Sequence, residues 1–142
     1  MKRFKEKTVI VTGAGSGTGR ATALRFANEG ARVVLAGRTA NTLDEPAKEF
    51  PQARTWIHTD NYLTIVCDII KQSQVQEMVK RVIDKFDESD VVVNNAGKGM
   101  EGKITDLSAE DWKSAIDVNL NGTFYVCQAV IPHLIKTKGS II

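Results

Sequence analysis

The chain contains few of the residues that mark several common classes of protein. Its 142 residues include two cysteines, two histidines and three prolines, and its net charge is only +2 at pH 7. Charges of both signs are interspersed, so nothing indicates a nucleic-acid-binding surface or a polybasic membrane anchor. No apolar run reaches the roughly 20 residues that a membrane-spanning helix needs. We expect neither nucleic acid nor membrane as a partner.

The cysteines and histidines lack the spacing of a disulfide framework or a metal site. Cys67 and Cys127 lie far apart in apolar runs, which is typical of reduced core thiols. His58 and His133 have no companion acid or cysteine at metal-ligand spacing, so we expect no metal. The apolar stretch after the basic start is too short for a signal peptide. These features predict a cytoplasmic protein.

Five short runs rich in valine or isoleucine predict β-strands in one globular domain over residues 1–142. The composition, 42% hydrophobic and 25% charged, suits such a domain. Unbroken apolar strands that alternate with helices are typical of a parallel sheet covered on both faces. We therefore predict a doubly wound α/β fold. The runs are Val9–Thr12, Arg32–Ala36, Leu63–Cys67, Val91–Asn94 and Ser140–Ile142.

Two helices are predicted in the first half of the chain. The first begins near Arg20 and stops at Gly30, a residue type suited to the position after a helix end. The second covers Thr42–Phe50 and keeps Pro46 in its first turn, where proline is tolerated. The following stretch, Pro51–Tyr62, is expected to be an irregular connection.

Two further helices carry capping signals. Ser73-x-x-Gln76 opens a strongly amphipathic helix, and Ser108-x-x-Asp111 opens a longer one that Pro132 perturbs or ends. Asn119 is expected on the packed face of the longer helix, where a buried amide needs hydrogen-bond partners. That face is predicted to comprise Trp112, Ala115, Ile116, Asn119, Leu120, Thr123 and Cys127.

A glycine-rich loop, TGAGSGTG at residues 12–19, joins the first strand to the first helix. Glycines allow positive φ and close approach of the backbone, and a helix N-terminus offers free N–H groups to an anion. The loop therefore predicts a pyrophosphate site. Thr18 breaks a literal G-x-G-x-x-G, and no Gly-Lys-Ser/Thr follows, which excludes a P-loop. A plain turn would not need four glycines.

Polar residues also follow the other predicted strands. An acidic residue about 20 positions beyond the loop selects NAD in many dinucleotide sites, but here Arg38 follows the second strand and the next carboxylate is Asp44. A guanidinium group suits a 2′-phosphate, so NADP is favoured over NAD, with a solvated surface arginine as the alternative. Asp68 suits either an adenine amino group or the cap of a turn. Asn94–Gly97 suits either a site or structural hydrogen bonds.

Three motifs in this order resemble the short-chain dehydrogenase/reductase family in its common single-domain form. They are Thr12-Gly13-x-x-x-Gly17-x-Gly19, Asn94-Asn95-Ala96-Gly97, and Asn119 within Asp117-Val118-Asn119-Leu120. The resemblance spans nearly the whole chain. It implies a Rossmann-type sheet and an NADP(H)-dependent oxidoreductase that acts on a small carbonyl or alcohol substrate. It also implies that the full-length protein is a homo-oligomer, assembled partly through the helix that corresponds to Ser108–Lys136.

The resemblance assigns a role to each matching residue. Asn119 corresponds to a member of the catalytic tetrad, which holds a water molecule in a proton relay. Twelve residues correspond to positions that bind the cofactor: Thr12, Gly13, Gly15, Ser16, Gly17, Thr18, Gly19, Arg38, Asp68, Asn95, Ala96 and Gly97.

The chain departs from the family pattern in the rest of the tetrad. Relatives continue past the fifth strand to a serine and a Tyr-x-x-x-Lys pair, whereas Tyr62 and Tyr125 are followed four positions on by Val66 and Ala129. We therefore expect a Rossmann domain truncated after its fifth strand and catalytically silent by itself. The alternative is a non-catalytic dinucleotide-binding or interaction module.

Overall fold

A parallel sheet of five strands organises the part of the chain that the structure describes, residues 2–53 and 59–142. In this computed structural model the strand order is β3-β2-β1-β4-β5, and every neighbouring pair is parallel. The order reverses between β1 and β4, which opens a crevice at the carboxyl ends of these two strands. The strands are β1 Thr8–Thr12, β2 Arg32–Gly37, β3 Tyr62–Val66, β4 Val91–Val93 and β5 Ser140–Ile141.

Helices cover both faces of the sheet. Val9 and Val11 of β1 pack on one face, and Ile10 packs on the other, each with no exposed surface. This alternation explains why the strand reads as an unbroken apolar run. The predicted doubly wound α/β class is confirmed. The α-helices are α1 Gly17–Asn28, α2 Ala40–Ala53, α3 Gln72–Phe86, α4 Ala109–Ile116 and α5 Thr123–Thr137.

Helix α1 begins earlier than the sequence indicated but ends where it indicated. Its first helical hydrogen bond runs from Arg20 N to Ser16 O (3.1 Å), so the helix starts inside the glycine loop rather than near Arg20. At the other end Gly30 has φ +95°, and its N–H donates to Ala27 O (2.9 Å). Ala31 N donates to Phe26 O (3.1 Å), which completes a Schellman motif.

Helix α2 is longer than predicted. It begins at Ala40 and runs to Ala53, so Pro46 lies in its interior and Pro51 is helical rather than part of a loop. Proline removes one helical hydrogen bond, but Leu43 and Pro46 are buried, and this packing favours the helix. Of the predicted irregular connection, residues 54–58, including His58, lie outside the described residues. Thr59–Asn61 form a 3₁₀ turn.

Helix α3 is not opened by the predicted capping box. The helix begins at Gln72, and the residue at its N-cap is Lys71, without a side-chain capping bond. Ser73 therefore lies in the first turn. Gln74 Oε1 instead accepts a hydrogen bond from Asp68 N (2.8 Å), which connects the first turn of α3 to the segment after β3.

The long helix after Ser108 is divided by a π-helical turn, Asp117–Gly122. Its capping box is confirmed, since Ser108 Oγ accepts from Asp111 N (3.0 Å) and Asp111 Oδ2 accepts from Ser108 N (3.2 Å). Pro132 neither ends nor divides α5, which continues to Thr137.

The packed face predicted for this helix is partly wrong. Trp112 and Leu120 are exposed, and Asn119 is exposed rather than buried, while Ala115 and Gly122 are buried. The π-helical turn widens one turn and so changes the angular position of the residues around it. A regular 3.6-residue period therefore does not describe which residues face the core.

The segment before β1 is attached to the end of α1 through Glu29. Arg3 and Arg25 both donate to this carboxylate, with 2.6 Å between Arg25 Nε and Glu29 Oε1. Phe4 N donates to Glu29 O (3.1 Å), and the rings of Phe4 and Phe26 meet edge to face. The hydrogen bonds from Arg3 and Arg25 lower the pKa of Glu29 from 4.5 to about 2.

We expect the contribution of Glu29 to stability to depend on pH. Because its pKa is lower in the folded state, the charged form stabilises the fold above about pH 4.5, and the effect is lost as the pH falls toward 2. Glu29→Gln should therefore lower the melting temperature at neutral pH, and its difference from the wild type should close in acid. Thermal unfolding at a series of pH values measures this. Glu101→Gln, at an exposed residue, is the control. A difference in melting temperature between Glu29→Gln and the wild type that stays constant with pH would contradict the stabilising role of the Glu29 charge.

Candidate functional site

The glycine loop turns back sharply at the end of β1. Gly13 has φ +63°, and a Cβ there would lie 2.9 Å from Ala96 Cα in the loop after β4. Ala14 N donates to Ala36 O (3.1 Å), which holds the turn against β2. A Cβ at Gly19 would lie 2.2 Å from Gly13 O. Glycine is therefore required at these two positions by close contacts within the protein itself.

The first turn of α1 presents unused backbone donors. Ser16 is the N-cap residue in extended conformation, and its side chain makes no capping bond. The N–H groups of a first helical turn have no acceptor within the helix. Gly17 has φ +49°, and a Cβ there would meet no protein atom within 4 Å. The helix N-terminus therefore faces open space, as an anion-binding site requires.

A cleft of about 450 Å³ lies in front of this turn at the carboxyl ends of the strands. Of the twelve residues assigned to cofactor binding, Thr12 and Gly19 do not line it, because they lie behind the loop. The structure brings the other ten together on the cleft wall. They are Gly13, Gly15, Ser16, Gly17, Thr18, Arg38, Asp68, Asn95, Ala96 and Gly97.

Thr12 and Asn95 connect the two loops that form the cleft floor. Thr12 Oγ1 accepts from Asn95 N (3.1 Å) and Ala96 N (3.0 Å) and donates to Val93 O (3.3 Å). Asn95 Nδ2 donates to Thr12 O (3.0 Å) and Gly13 O (3.2 Å). The sequence left open whether Asn95 belongs to a site or makes structural hydrogen bonds. In the structure it makes these hydrogen bonds and also lines the cleft.

Charged side chains mark the outer wall of the cleft. Arg38 is exposed and has no hydrogen bond or ion pair with any residue in the described ranges. Lys98 brings a second positive charge, and its Nζ donates to Ser114 Oγ (2.7 Å). Asp68 supplies a carboxylate, and its Oδ1 accepts a long hydrogen bond from Ile70 N (3.4 Å). An anionic ligand would therefore meet a cation that is not already neutralised.

Cys67 lies at the base of the cleft beside Asp68. Burial, and next the negative charge of Asp68, raise the pKa of the Cys67 thiol from 9.0 to about 11. The thiol therefore stays protonated at neutral pH and is a poor nucleophile. Cys67 and Cys127 are both free cysteines, as the sequence indicated.

Asn119 lies in the π-helical turn and binds the loop after β4. Its Oδ1 accepts from Lys98 N (2.8 Å), and its Nδ2 donates to Lys98 O (2.9 Å). The expected amide partners are therefore present, although the residue is exposed. Both groups of this side chain hold backbone, so its direct geometric effect is to fix the loop that carries Asn95 and Lys98.

Several residues of the cleft wall were not found from the sequence. Thr39, Ile69 and Lys98 directly follow a residue that was predicted, so their position just beyond a strand end was the available signal. Thr42 comes from α2 and carried no such signal, whereas Val118 lies beside Asn119 within the third sequence motif. The unpredicted lining residues include Thr39, Thr42, Cys67, Ile69, Lys98 and Val118.

The comparisons with known proteins identify the family. The profile of the short chain dehydrogenase family matches residues 7–142. The chain therefore belongs to the short-chain dehydrogenase/reductase family, in agreement with the sequence motifs and the sheet order.

Individual relatives agree with this assignment. The chain is 40% identical to an uncharacterized oxidoreductase of Staphylococcus epidermidis, over 100% of this chain and 59% of that protein. A short chain dehydrogenase from Bacillus anthracis is 40% identical, with a TM-score of 0.88 over 96% of this chain and 54% of its own. NAD⁺-bound xylitol dehydrogenase is 30% identical, with a TM-score of 0.90 over 99% of this chain and 53% of its own. The chain thus spans little more than half the length of these relatives.

Two other kinds of site are absent from the residues that the structure describes. No helix within residues 2–53 or 59–142 is long and apolar enough to cross a membrane. In the same ranges, no group of three histidine, cysteine, aspartate or glutamate side chains could hold a metal ion.

We expect Gly19→Ala to destabilise the fold. The added Cβ would lie 2.2 Å from Gly13 O and 2.4 Å from Asn95 Nδ2, and the first of these is a backbone atom fixed at the end of β1. Overpacking of this kind costs about 1–3 kcal/mol. Urea unfolding should show the loss. Gly99→Ala is the matched control, because a Cβ there meets no atom within 4 Å. Equal unfolding midpoints for the two variants would contradict the contact.

Proposed function

We propose that this protein is an NADP(H)-dependent oxidoreductase that transfers hydride between the nicotinamide and a small carbonyl or alcohol substrate. Membership of the short-chain dehydrogenase/reductase family supports the reaction class. The choice of coenzyme rests on one observation, the exposed Arg38 directly after β2, which has no ion pair with any residue that the structure describes.

The residues of the cleft fit a dinucleotide. The open space in front of Gly17 and the free first turn of α1 suit the pyrophosphate. In this proposal Asp68 binds the adenine amino group, and Asn95 to Gly97 line the floor. When bound, the coenzyme supplies or accepts the hydride. The protein's own residues bind it, orient it and hold the surrounding loops in place.

Arg38 is the residue that distinguishes the two coenzymes in this proposal. NADP differs from NAD by a 2′-phosphate, and a guanidinium group binds phosphate through a planar pair of donors. The next acidic residue after β2 is Asp44, which lies inside α2 rather than at the strand end. The xylitol dehydrogenase structure contains NAD⁺, so relatives of this degree of similarity include proteins that bind the other coenzyme.

The proposed role of the 142-residue chain itself is binding without turnover. Hydride transfer to a carbonyl leaves an alkoxide that must receive a proton. Asn119 is the tetrad residue that the chain supplies, and its side chain is engaged with Lys98. Neither Tyr62 nor Tyr125 has a lysine four positions on.

A non-catalytic binding or interaction module is the second candidate. Exposed apolar side chains along α4, the π-helical turn and α5 favour an interaction surface, because contact with a partner would remove them from water. The same surface supports the proposal that the full-length protein is a homo-oligomer. The most exposed members are Trp112 (53%), Leu120 (61%), Phe124 (56%) and Ile135 (72%). We also propose a cytoplasmic location, which the free cysteines favour.

Arg38→Gln should weaken NADPH binding far more than NADH binding. A hydrogen bond to a charged group is worth about 1.5–3 kcal/mol, so we expect the Kd for NADPH to rise about 10- to 100-fold. Fluorescence titration of each reduced coenzyme measures both values. Arg81→Gln, an exposed arginine on α3, is the matched control. Equal weakening of NADPH and NADH by Arg38→Gln would contradict the proposed coenzyme.

We expect the 142-residue chain to bind NADPH but not to oxidise it with a panel of ketones and aldehydes. The physical reason is the missing proton donor. Loss of NADPH absorbance measures turnover, and the fluorescence titration on the same sample shows whether the crevice has formed. Turnover would mean that another residue donates the proton. Binding without turnover by the 142-residue chain, together with turnover by a protein expressed from a longer coding sequence, would favour the enzyme over the binding module.

A further inference from the structure

Helix α2 begins directly after the proposed coenzyme-selecting residue. Gly37 ends β2, Arg38 and Thr39 follow, and α2 starts at Ala40. The position of the first turn of α2 therefore determines where the backbone of Arg38 lies. Any contact that holds this turn against the glycine loop also fixes the distance from Arg38 to the pyrophosphate site.

Gly15 and Thr42 form such a contact. A Cβ at Gly15 would lie 2.6 Å from Thr42 Oγ1, 2.9 Å from Thr42 Cβ and 3.0 Å from Thr42 O. Gly15 does not have a positive φ, so backbone conformation does not demand a glycine here. Glycine is needed at position 15 because the glycine loop and the first turn of α2 lie too close together for a Cβ.

Thr42 also fixes the residues around Arg38. Its Oγ1 donates to Thr39 O (2.8 Å), which closes the turn between Arg38 and the helix. Thr42 thus touches the glycine loop on one side and holds the Arg38 turn on the other. Both Thr39 and Thr42 line the cleft.

The rest of α2 is held in place at two further points. Leu43 is 1% exposed and packs on Gly37, where a Cβ would lie 3.0 Å from its Cδ2. Near the other end of the helix, Glu49 pairs with Arg20 of α1. These two contacts hold α2 against β2 and α1, beside the contact between its first turn and Gly15.

We propose that the contact between Gly15 and Thr42 sets the separation of the pyrophosphate loop from Arg38, and that Thr42 is a positioning residue for coenzyme choice. The inference rests on the proposed preference for NADP. A 2′-phosphate and a pyrophosphate belong to one adenosine unit, so their two binding groups must be correctly spaced at the same time. NADH lacks the 2′-phosphate, and its binding does not depend on where Arg38 lies.

The test measures the Kd of NADPH and NADH for the wild type, Gly15→Ala, Thr42→Gly and the double variant of the 142-residue chain. Gly15→Ala should push the α2 turn away and lower the preference for NADPH over NADH about five- to tenfold, as part of a charge-assisted hydrogen bond is lost. Thr42→Gly removes the two side-chain atoms nearest the new methyl group. The double variant should therefore behave like Thr42→Gly alone, which lacks the hydrogen bond to Thr39 O, and should recover the rest of the preference that Gly15→Ala loses.

A second pair of variants adds no atom at Gly15. Thr42→Val keeps the shape of the side chain but removes the hydrogen bond to Thr39 O, so the preference should fall about threefold, the value of one neutral hydrogen bond. Thr42→Ser keeps the hydroxyl and should retain the preference. This pair tests the proposal even where Gly15→Ala does not yield a folded chain.

The ratio of the two dissociation constants separates positioning from general damage to the fold. Equal weakening of both coenzymes by Gly15→Ala and by Thr42→Val, or no recovery in the double variant, would overturn the role of Thr42. A wild-type chain without a preference for NADPH would overturn the proposed coenzyme as well. The titration of the wild type alone reveals that outcome. Failure of the proposed coenzyme can therefore be distinguished from failure of the role of Thr42.

Discussion

The hydroxyl group of Thr12 is the interaction on which the candidate site depends. It joins the end of β1 to the loop after β4, and Asn95 returns two hydrogen bonds to the glycine loop. The backbone pairing of β1 with β4 ends at Val11 and Val93, so side chains connect the two loops beyond that point. Gly13 and Gly19 permit these contacts because a Cβ at either position would overlap neighbouring atoms of the two loops. The open face of the glycine loop is then available to a ligand.

The sheet could be predicted from the sequence because burial on both faces makes each strand a continuous apolar run. Helix boundaries were harder to predict where local signals compete. Ser73 has the sequence of a cap, yet the helix starts at Gln72, two residues earlier than that cap predicts, and Gln74 binds the preceding backbone instead. Pro46 indicates a helix start, but burial keeps it inside α2. The π-helical turn has no periodicity that would identify it, so the exposed side of Asn119 could not be predicted.

The candidate site was predictable wherever a residue follows a strand or belongs to a motif. Arg38 and Asp68 are of the first kind, and the glycines are of the second. Thr42 reaches the cleft from α2, and that depends on how the helix packs rather than on sequence spacing. The loop and Arg38 already predicted a dinucleotide, and the family resemblance added the expected reaction class and the role of each matching residue.

The connection between β1 and β4 also bears on the order in which the chain folds. Thr8 N donates to Asp90 Oδ2, a partner 82 positions away in the sequence, whereas β1, α1 and β2 form a compact local unit. Closing a long loop is entropically unfavourable, so the local unit gains contacts sooner than the distant pairing does. The cleft needs the distant pairing. A bound dinucleotide would therefore stabilise the chain only once β1 and β4 are paired, and retention of the ligand would report that this long-range step of folding has taken place.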